Sequence, residues 1–140
     1  GTRKVNPEAD KHLRASRAEE GLLGLLILNP DYLKAVSQEL PAEEMVTAFN
    51  RTLYSRLLDR HRQGLLIELA FLAADYDADE MAYISHMVQT AREAAQTPEQ
   101  AAAYVKVIRE EHAMAGLQSP GSLPDDAIQS LLAAMREQKK

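Results

Sequence analysis

The sequence contains no cysteine and no tryptophan, and it has only two phenylalanines among 140 residues. Without cysteine the chain can form no disulfide, no thiolate metal site and no cysteine nucleophile. β-Branched residues are also few, whereas Ala, Leu, Glu, Gln, Lys and Arg dominate, and these residues favour helices over strands. The composition therefore predicts an all-α protein.

Signatures of catalysis and of metal binding are also missing. The chain has no glycine-rich phosphate loop and no glycine-flanked serine nucleophile. Asp75, Asp77 and Asp79 imitate the start of a calcium loop, but Glu80 and His86 stand where that loop needs glycine and a bidentate glutamate. We therefore expect no catalytic residue, no metal site and no cofactor. Since no signal peptide or membrane span is visible, we expect a cytoplasmic location and no membrane contact.

The stretch 16–28 is predicted to be the central helix. Ser16 and Glu19 have the spacing of a capping box, which predicts that the helix begins there. No polar face remains between residues 22 and 28, so we expect other helices to surround this one. Because Gly21 and Gly24 weaken a helix, they indicate places where a neighbouring backbone comes close.

Start and stop signals divide the following chain into further helices. Asp77 with Glu80 and Thr97 before Pro98 are helix-start patterns, and Gly64 is a typical helix end. The predicted helices after the first are 30–40, 47–63, 65–74, 77–95 and 97–115.

Domain boundaries follow from composition. Residues 1–10 are polar and lack an apolar period, which is typical of a linker or of the edge of an excised fragment. Residues 11–116 form the predicted bundle. Residues 117–140 are predicted to be a hinge, with the sequence LQSPGSL, followed by a terminal helix.

The terminal helix carries the clearest apolar stripe, formed by Ile128, Leu131, Leu132 and Met135. Burying four such side chains is worth roughly 6–12 kcal/mol before opposing terms. The helix therefore either folds back onto the bundle or offers part of its stripe to a partner groove. The sequence leaves both outcomes open.

A set of arginines lies on the 47–63 helix and comprises Arg51, Arg56, Arg60 and Arg62. Such a set is usually a solvated face, but it could contact phosphates, which keeps a small nucleic-acid-binding module as an alternative. The formal charge of −5 argues against broad affinity for nucleic acid. We expect little or no direct nucleic-acid binding.

Four segments follow one another along the chain: SRAEEGLLGLLILNPDYL, FNRTLYSRLLDRHRQG, DADEMAYISHMV and TPEQAAAYVKVIREE. In this order they resemble the C-terminal domain of bacterial DNA primase (DnaG type). In that family an alanine–glutamate pair precedes a leucine-rich first helix, an asparagine–proline turn follows, and a later helix carries an arginine–leucine–tyrosine-type segment. The resemblance covers residues 16–140.

The resemblance implies a helical bundle with a C-terminal helical hairpin, whose first arm ends near residue 116. It also implies a non-catalytic role, in which the domain binds the N-terminal region of the replicative hexameric helicase and recruits primase to the bacterial replication fork. The parent protein would then be a primase-type RNA polymerase. The family's helicase contact maps here to the end of the 97–115 helix and to the terminal helix, and the residues expected to carry it are Ile128, Leu131, Leu132, Met135 and Arg136.

The N-terminal domain of the replicative helicase itself is the alternative. It also begins with alanine, glutamate and a leucine-rich helix, and it leads into a linker and a P-loop motor. Because the present chain finishes in a lysine-tipped helix, as primase chains tend to, the sequence by itself favours the primase interpretation.

Overall fold

The computed structural model describes residues 4–116 and 125–138, and over these ranges the chain is helical with no strand. This confirms the predicted all-α fold. Three short 3-10 helices, Pro7–Asp10, Pro30–Tyr32 and Ala42–Glu44, accompany the α-helices. The α-helices are α1 (Leu13–Leu28), α2 (Leu33–Glu39), α3 (Ala48–Arg62), α4 (Leu69–Leu72), α5 (Ala78–Glu93), α6 (Pro98–Met114) and α7 (Asp125–Gln138).

Helix α1 is the centre of the bundle, with α3, α5 and α6 packed around it. Every residue from Leu22 to Ile27 is buried, as predicted. A Cβ atom on Gly24 would lie 2.2 Å from the main-chain oxygen of Met87 on α5, so glycine permits this close approach. At Gly21 the near neighbour is the ring of Tyr104, 2.5 Å from such a Cβ atom. The predicted backbone approach is therefore confirmed at Gly24, whereas at Gly21 the neighbour is a side chain.

The capping box predicted at Ser16 does not form, although the possible extension of the helix by one turn into residues 11–15 does. The helix begins at Leu13, and Ser16 lies inside it, where its hydroxyl donates to the carbonyl of Leu13 at 3.1 Å. Glu19 does not close a capping box with Ser16, because its side chain is fully buried and points to another helix. Ser16 and Glu19 have the spacing of a capping box, but their side chains form hydrogen bonds with other residues.

Glu19 instead accepts hydrogen bonds at the beginning of α3, where main-chain N–H groups lack partners within the helix. The main-chain N–H of Val46 donates to Oε2 at 2.5 Å, and the Thr47 hydroxyl donates to Oε1 at 2.6 Å. The side-chain amide of Asn50 donates to Oε1 at 3.1 Å. Burial raises the pKa of the Glu19 carboxyl, and these hydrogen bonds oppose the rise.

Residues 6–10 were expected to be linker, but they pack against the bundle. The buried Asn6 side chain donates to the Thr47 hydroxyl and to the Tyr83 hydroxyl, each at 3.1 Å. The Glu8 carboxylate accepts from the main-chain N–H of Ala48 at 2.8 Å, at the first residue of α3. Polar side chains therefore attach this segment to α3 and α5, so a lack of apolar period did not mean a lack of structure.

The cap predictions for α5 and α6 are confirmed. Asp77 and Glu80 form a reciprocal capping box, and the Thr97 hydroxyl accepts from the main-chain N–H of Gln100 at 3.1 Å. Gly64 follows α3 with a φ of 72°, a conformation that glycine adopts without strain.

The predicted 65–74 helix is mostly wrong, since only the single turn α4 forms. Glu68 is extended, with φ −145° and ψ 152°, so the chain before α4 is not helical. One isolated turn forms few hydrogen bonds in return for the conformational freedom that it loses. Tertiary contacts therefore determine whether such a segment becomes helical.

Helix α7 packs against α2 and α6. Arg136 near its C-terminal end pairs with Glu99 near the start of α6. The predicted hinge at 117–123 and the side chain of Ile128 lie outside the described residues.

Candidate protein-interaction surface

Two of the partner-binding residues predicted on α7 are closed off within the chain. Leu131 is 1% exposed and Met135 is 0% exposed, so both belong to the core. Leu132 is half-buried, while Arg136 is exposed and pairs with Glu99. The structure thus shows the fold-back outcome for Leu131 and Met135, because α2 and α6 provide an apolar surface within the same chain. These two side chains are not available to a partner in this conformation.

The α3 arginines are all engaged within the chain. Two of them donate to main-chain carbonyls, and two pair with carboxylates. The contacts are Arg51 with the carbonyls of Met45 and Val46, Arg60 with the carbonyl of Leu66, Arg56 with Asp75, and Arg62 with Asp59. This arrangement does not favour the nucleic-acid alternative, because the same donors would have to be shared with phosphates.

An uncovered apolar cluster lies instead between α3 and α5. Its members are Leu65, Leu66 and Phe71, which are 47%, 64% and 45% exposed. We call these three side chains the loop patch. Contiguous exposed apolar side chains are typical of surfaces that bind another protein.

The loop patch is held in place from α3. Nε and Nη2 of Arg60 donate to the carbonyl of Leu66 at 2.9 and 2.6 Å. The guanidinium carbon of the same arginine lies 5.7 Å from the ring centroid of Phe71, within the range of a cation–π contact. One side chain of α3 therefore contacts two members of the loop patch.

A groove of about 680 Å³ runs beside the loop patch. The buried side chains of Ile27 and Val88, and of Ile67 from the loop itself, contribute apolar lining. Exposed charged groups of both signs also line it: Asp31, Glu68 and Arg92. The groove is shaped to accept apolar side chains and has charged groups along its border.

Sequence reasoning did not single out the loop patch, because it treated residues 65–74 as one short apolar helix. A usable signal was present. Ten residues separate Gly64 from Asp75, and all of them except Glu68 are apolar. So short an element has one inward face, which leaves some of its apolar side chains uncovered.

The described part of the chain contains neither a cluster of metal ligands nor a membrane-spanning helix. Within 4–116 and 125–138 no group of three or more His, Asp or Glu side chains is placed to hold a metal ion. The helices in those ranges are too short or too polar to cross a bilayer.

Comparison with known proteins identifies the domain. A family model described as DnaB-like helicase N terminal domain matches residues 11–110. The match runs from just before α1 to near the end of α6, well over half of the chain. No match was found among curated proteins or solved structures.

The family match overturns the primase interpretation and supports the alternative. The primase resemblance depended on turns and apolar periods, which the two kinds of helical domain share, and not on residues specific to one of them. The predicted partner is wrong for the same reason, since the helicase N-terminal region was taken as the surface to be bound. The chain belongs to the family of DnaB-like helicase N-terminal domains.

Proposed function

We propose that this chain is the non-catalytic N-terminal domain of a replicative DNA helicase and that it works by contacting protein surfaces. The single observation that carries the proposal is the family match over 11–110. In this role, ATP hydrolysis and DNA translocation belong to a separate motor domain of the parent protein.

Three features of the chain support this role. The sequence has no glycine-rich loop that could hold the phosphates of ATP. The loop patch leaves Leu65 and Leu66 open beside an apolar groove, which suits protein contact better than contact with a charged nucleic acid. The arginines of α3 are committed to carbonyls and carboxylates of the same chain.

The proposal is tested on the parent protein with and without this domain. We expect the deletion to leave DNA-stimulated ATP hydrolysis largely intact and to reduce strand unwinding, because the motor retains its chemistry and loses a set of protein contacts. The purified domain should hydrolyse no ATP and should show no salt-dependent binding to single-stranded DNA.

Two results would overturn the proposal. One is a native gene in which the domain is joined to a polymerase and not to a P-loop motor. The other is unwinding by the deleted protein at the rate of the intact one.

A further inference from the structure

We propose that residues 5–10 form a strap that opens and closes over α3 and α5, and that the negative charges of Glu19 and Glu20 on α1 hold it closed. The proposal is carried by the direction of the hydrogen bonds at Asn6. It goes beyond the proposed function and does not depend on it.

The strap is attached mainly by polar groups. Asn6 is its only buried residue, whereas Val5 and Ala9 are half-buried and Pro7 is exposed. The side-chain oxygen of Asn6 accepts no hydrogen bond within the described residues although it is buried, and an unpaired buried acceptor weakens docking. A segment with so little buried apolar surface opens locally at a lower free energy than the core.

While both carboxylates are ionised, the hydrogen bonds around Asn6 have one direction. The Thr47 hydroxyl donates to Oε1 of Glu19 at 2.6 Å, and the Tyr83 hydroxyl donates to Oε2 of Glu20 at 2.6 Å. Because each hydroxyl gives its proton to a carboxylate, both hydroxyl oxygens are left to accept from the side-chain nitrogen of Asn6, at 3.1 Å each. The charges on α1 therefore prepare the acceptors that dock the strap.

Protonation of Glu19 reverses the first of these bonds. Oε2 of Glu19 receives the main-chain N–H groups of Val46 and Thr47, which cannot accept, so the proton lies on Oε1 and points to the Thr47 hydroxyl. The Thr47 hydroxyl then turns its own proton away from Glu19 and toward the amide of Asn6. Two donors face each other, and Asn6 loses an acceptor that it needs while it is buried. The Glu20 end reverses in the same way.

Other charged groups lie around the strap and its acceptors. They are Asp75, Asp79, Glu80 and Tyr83 from α5 and the loop before it, Arg51 and Arg56 from α3, and Lys4, Glu8 and Asp10 from the strap and its flank. Protonation of Glu8 weakens its bond to the main-chain N–H of Ala48, which also favours opening. Asp79 and Glu80 repel the acidic strap, but they act across hollows open to water, where screening is strong. The buried bonds at Asn6 therefore decide the sign.

Glu19 sets the pH range of opening. Burial raises the pKa of its carboxyl above the ordinary value of 4.5, so Glu19 takes up a proton while ordinary carboxylates are still ionised. Burial also raises the pKa of Tyr83, so its hydroxyl keeps the proton that it donates to Glu20. An open strap exposes the rings of Phe49 and Tyr83, which line the hollows on either side of it.

Nuclear magnetic resonance relaxation of the 15N-labelled domain measures the state of the strap as the pH falls. We expect backbone order parameters of about 0.85 for residues 6–10 at neutral pH, and below about 0.6 before the pH reaches 4.5, with α1 rigid throughout. The side-chain carboxyl carbon of Glu19 should titrate with the same midpoint as this loss of order.

Glu19→Gln tests the role of the charge at neutral pH. Its amide oxygen has to face the N–H groups of Val46 and Thr47, so its NH2 group donates to the Thr47 hydroxyl, as a protonated carboxyl does. We expect this variant to have a mobile strap at neutral pH. Glu93→Gln is the matched control, since Glu93 is exposed on α5 and does not line the hollows beside the strap.

Asn6→Asp tests the latch itself. A carboxylate cannot donate to the two hydroxyls, and it adds negative charge beside Glu19 and Glu20, so the strap should be mobile at neutral pH. Asp10→Asn makes the opposite exchange at an exposed position of the same segment and should leave the strap closed. Circular dichroism should show all four variants folded.

A strap that stays ordered in Glu19→Gln or in Asn6→Asp would overturn the inference. So would a strap that is already mobile in the wild type at neutral pH, or one that loses order only together with α1 on acidification. None of these results bears on whether the parent protein unwinds DNA without this domain, so the proposed function is tested separately.

Discussion

Two leucine-rich stretches of similar composition have opposite fates in this molecule. Residues 22–28 form the second half of α1 and are enclosed by other helices, whereas residues 65–72 follow Gly64 and leave three large apolar side chains open. The difference is one of surroundings: α1 is long enough to be contacted along its length by α3, α5 and α6, while the second stretch folds as one turn. Apolar composition therefore indicates where burial is favourable but not whether a neighbour exists to provide it.

Removal of the Glu19 carboxylate should destabilise the enclosed region more than any other single change. Glu19→Ala leaves the N–H of Val46 and the side chains of Thr47 and Asn50 without their buried acceptor, and each lost bond costs about 1–3 kcal/mol. We expect the free energy of unfolding to fall by about 4 kcal/mol. Urea denaturation measures it, and a loss below about 1 kcal/mol would show that α3 begins equally well without the carboxylate.

The same residue should give the enclosed region a pH dependence. Burial raises the folded-state pKa of Glu19 above its ordinary value of 4.5, so the folded protein holds this proton more tightly than the unfolded chain. Its contribution to stability is complete below pH 4.5 and is lost as the pH rises through the raised pKa. Relative to Glu19→Gln, which cannot titrate, wild-type stability should therefore fall as the pH rises from acidic toward neutral. An unchanged difference across that range would contradict a raised pKa.

Leu131→Asp tests whether α7 belongs with the enclosed stretch or with the open one. Since Leu131 is buried among α2, α6 and α7, a carboxylate there should detach α7 and lower the free energy of unfolding by about 3 kcal/mol. Thermal unfolding measures the loss, and Ala133→Asp at an exposed position of α7 is the matched control. A melting temperature equal to that of the control would mean that Leu131 is not part of the core and that α7 is open to a partner.

Gly24→Ala should break the contact between α1 and α5. Its Cβ atom would meet the main-chain oxygen of Met87, which cannot rotate away, so overpacking should exceed the gain in helix propensity of about 1 kcal/mol. We expect a net loss of about 2 kcal/mol in a denaturation experiment. Gly21→Ala is the matched control, because it meets only the movable ring of Tyr104 and should cost much less. Equal losses at both glycines would contradict the distinction.

Leu66→Ser should have the smallest effect on stability. Leu66 is mostly exposed, so the free energy of unfolding of the domain should change by less than about 0.5 kcal/mol. Urea denaturation measures this value. A loss near that of Leu131→Asp would mean that the loop patch supports the fold.

Local signals predicted much of the fold. The caps at Asp77 and Thr97, the turn at Gly64 and the burial of residues 22–27 follow from short-range patterns, and the structure has all of them. The same kind of signal failed for Glu19. Its spacing from Ser16 fits a capping box, but its carboxylate accepts hydrogen bonds from Val46 and Thr47 at the start of α3, which is distant in the sequence.

Non-local contacts limited the prediction of the site. Whether Leu131 or Leu66 is covered depends on helices that lie far away in the sequence, and periodicity does not report their position. The family assignment failed for a related reason. The two kinds of helical domain share the same pattern of apolar residues and turns, and the residues that distinguish them lie outside that pattern.

Hydrogen exchange resolved by residue is the most direct test of an enclosed α1 and an open loop patch. We predict strong protection of α1 and weak protection of residues 65–72. Residues 65–72 as protected as α1 would contradict this interpretation.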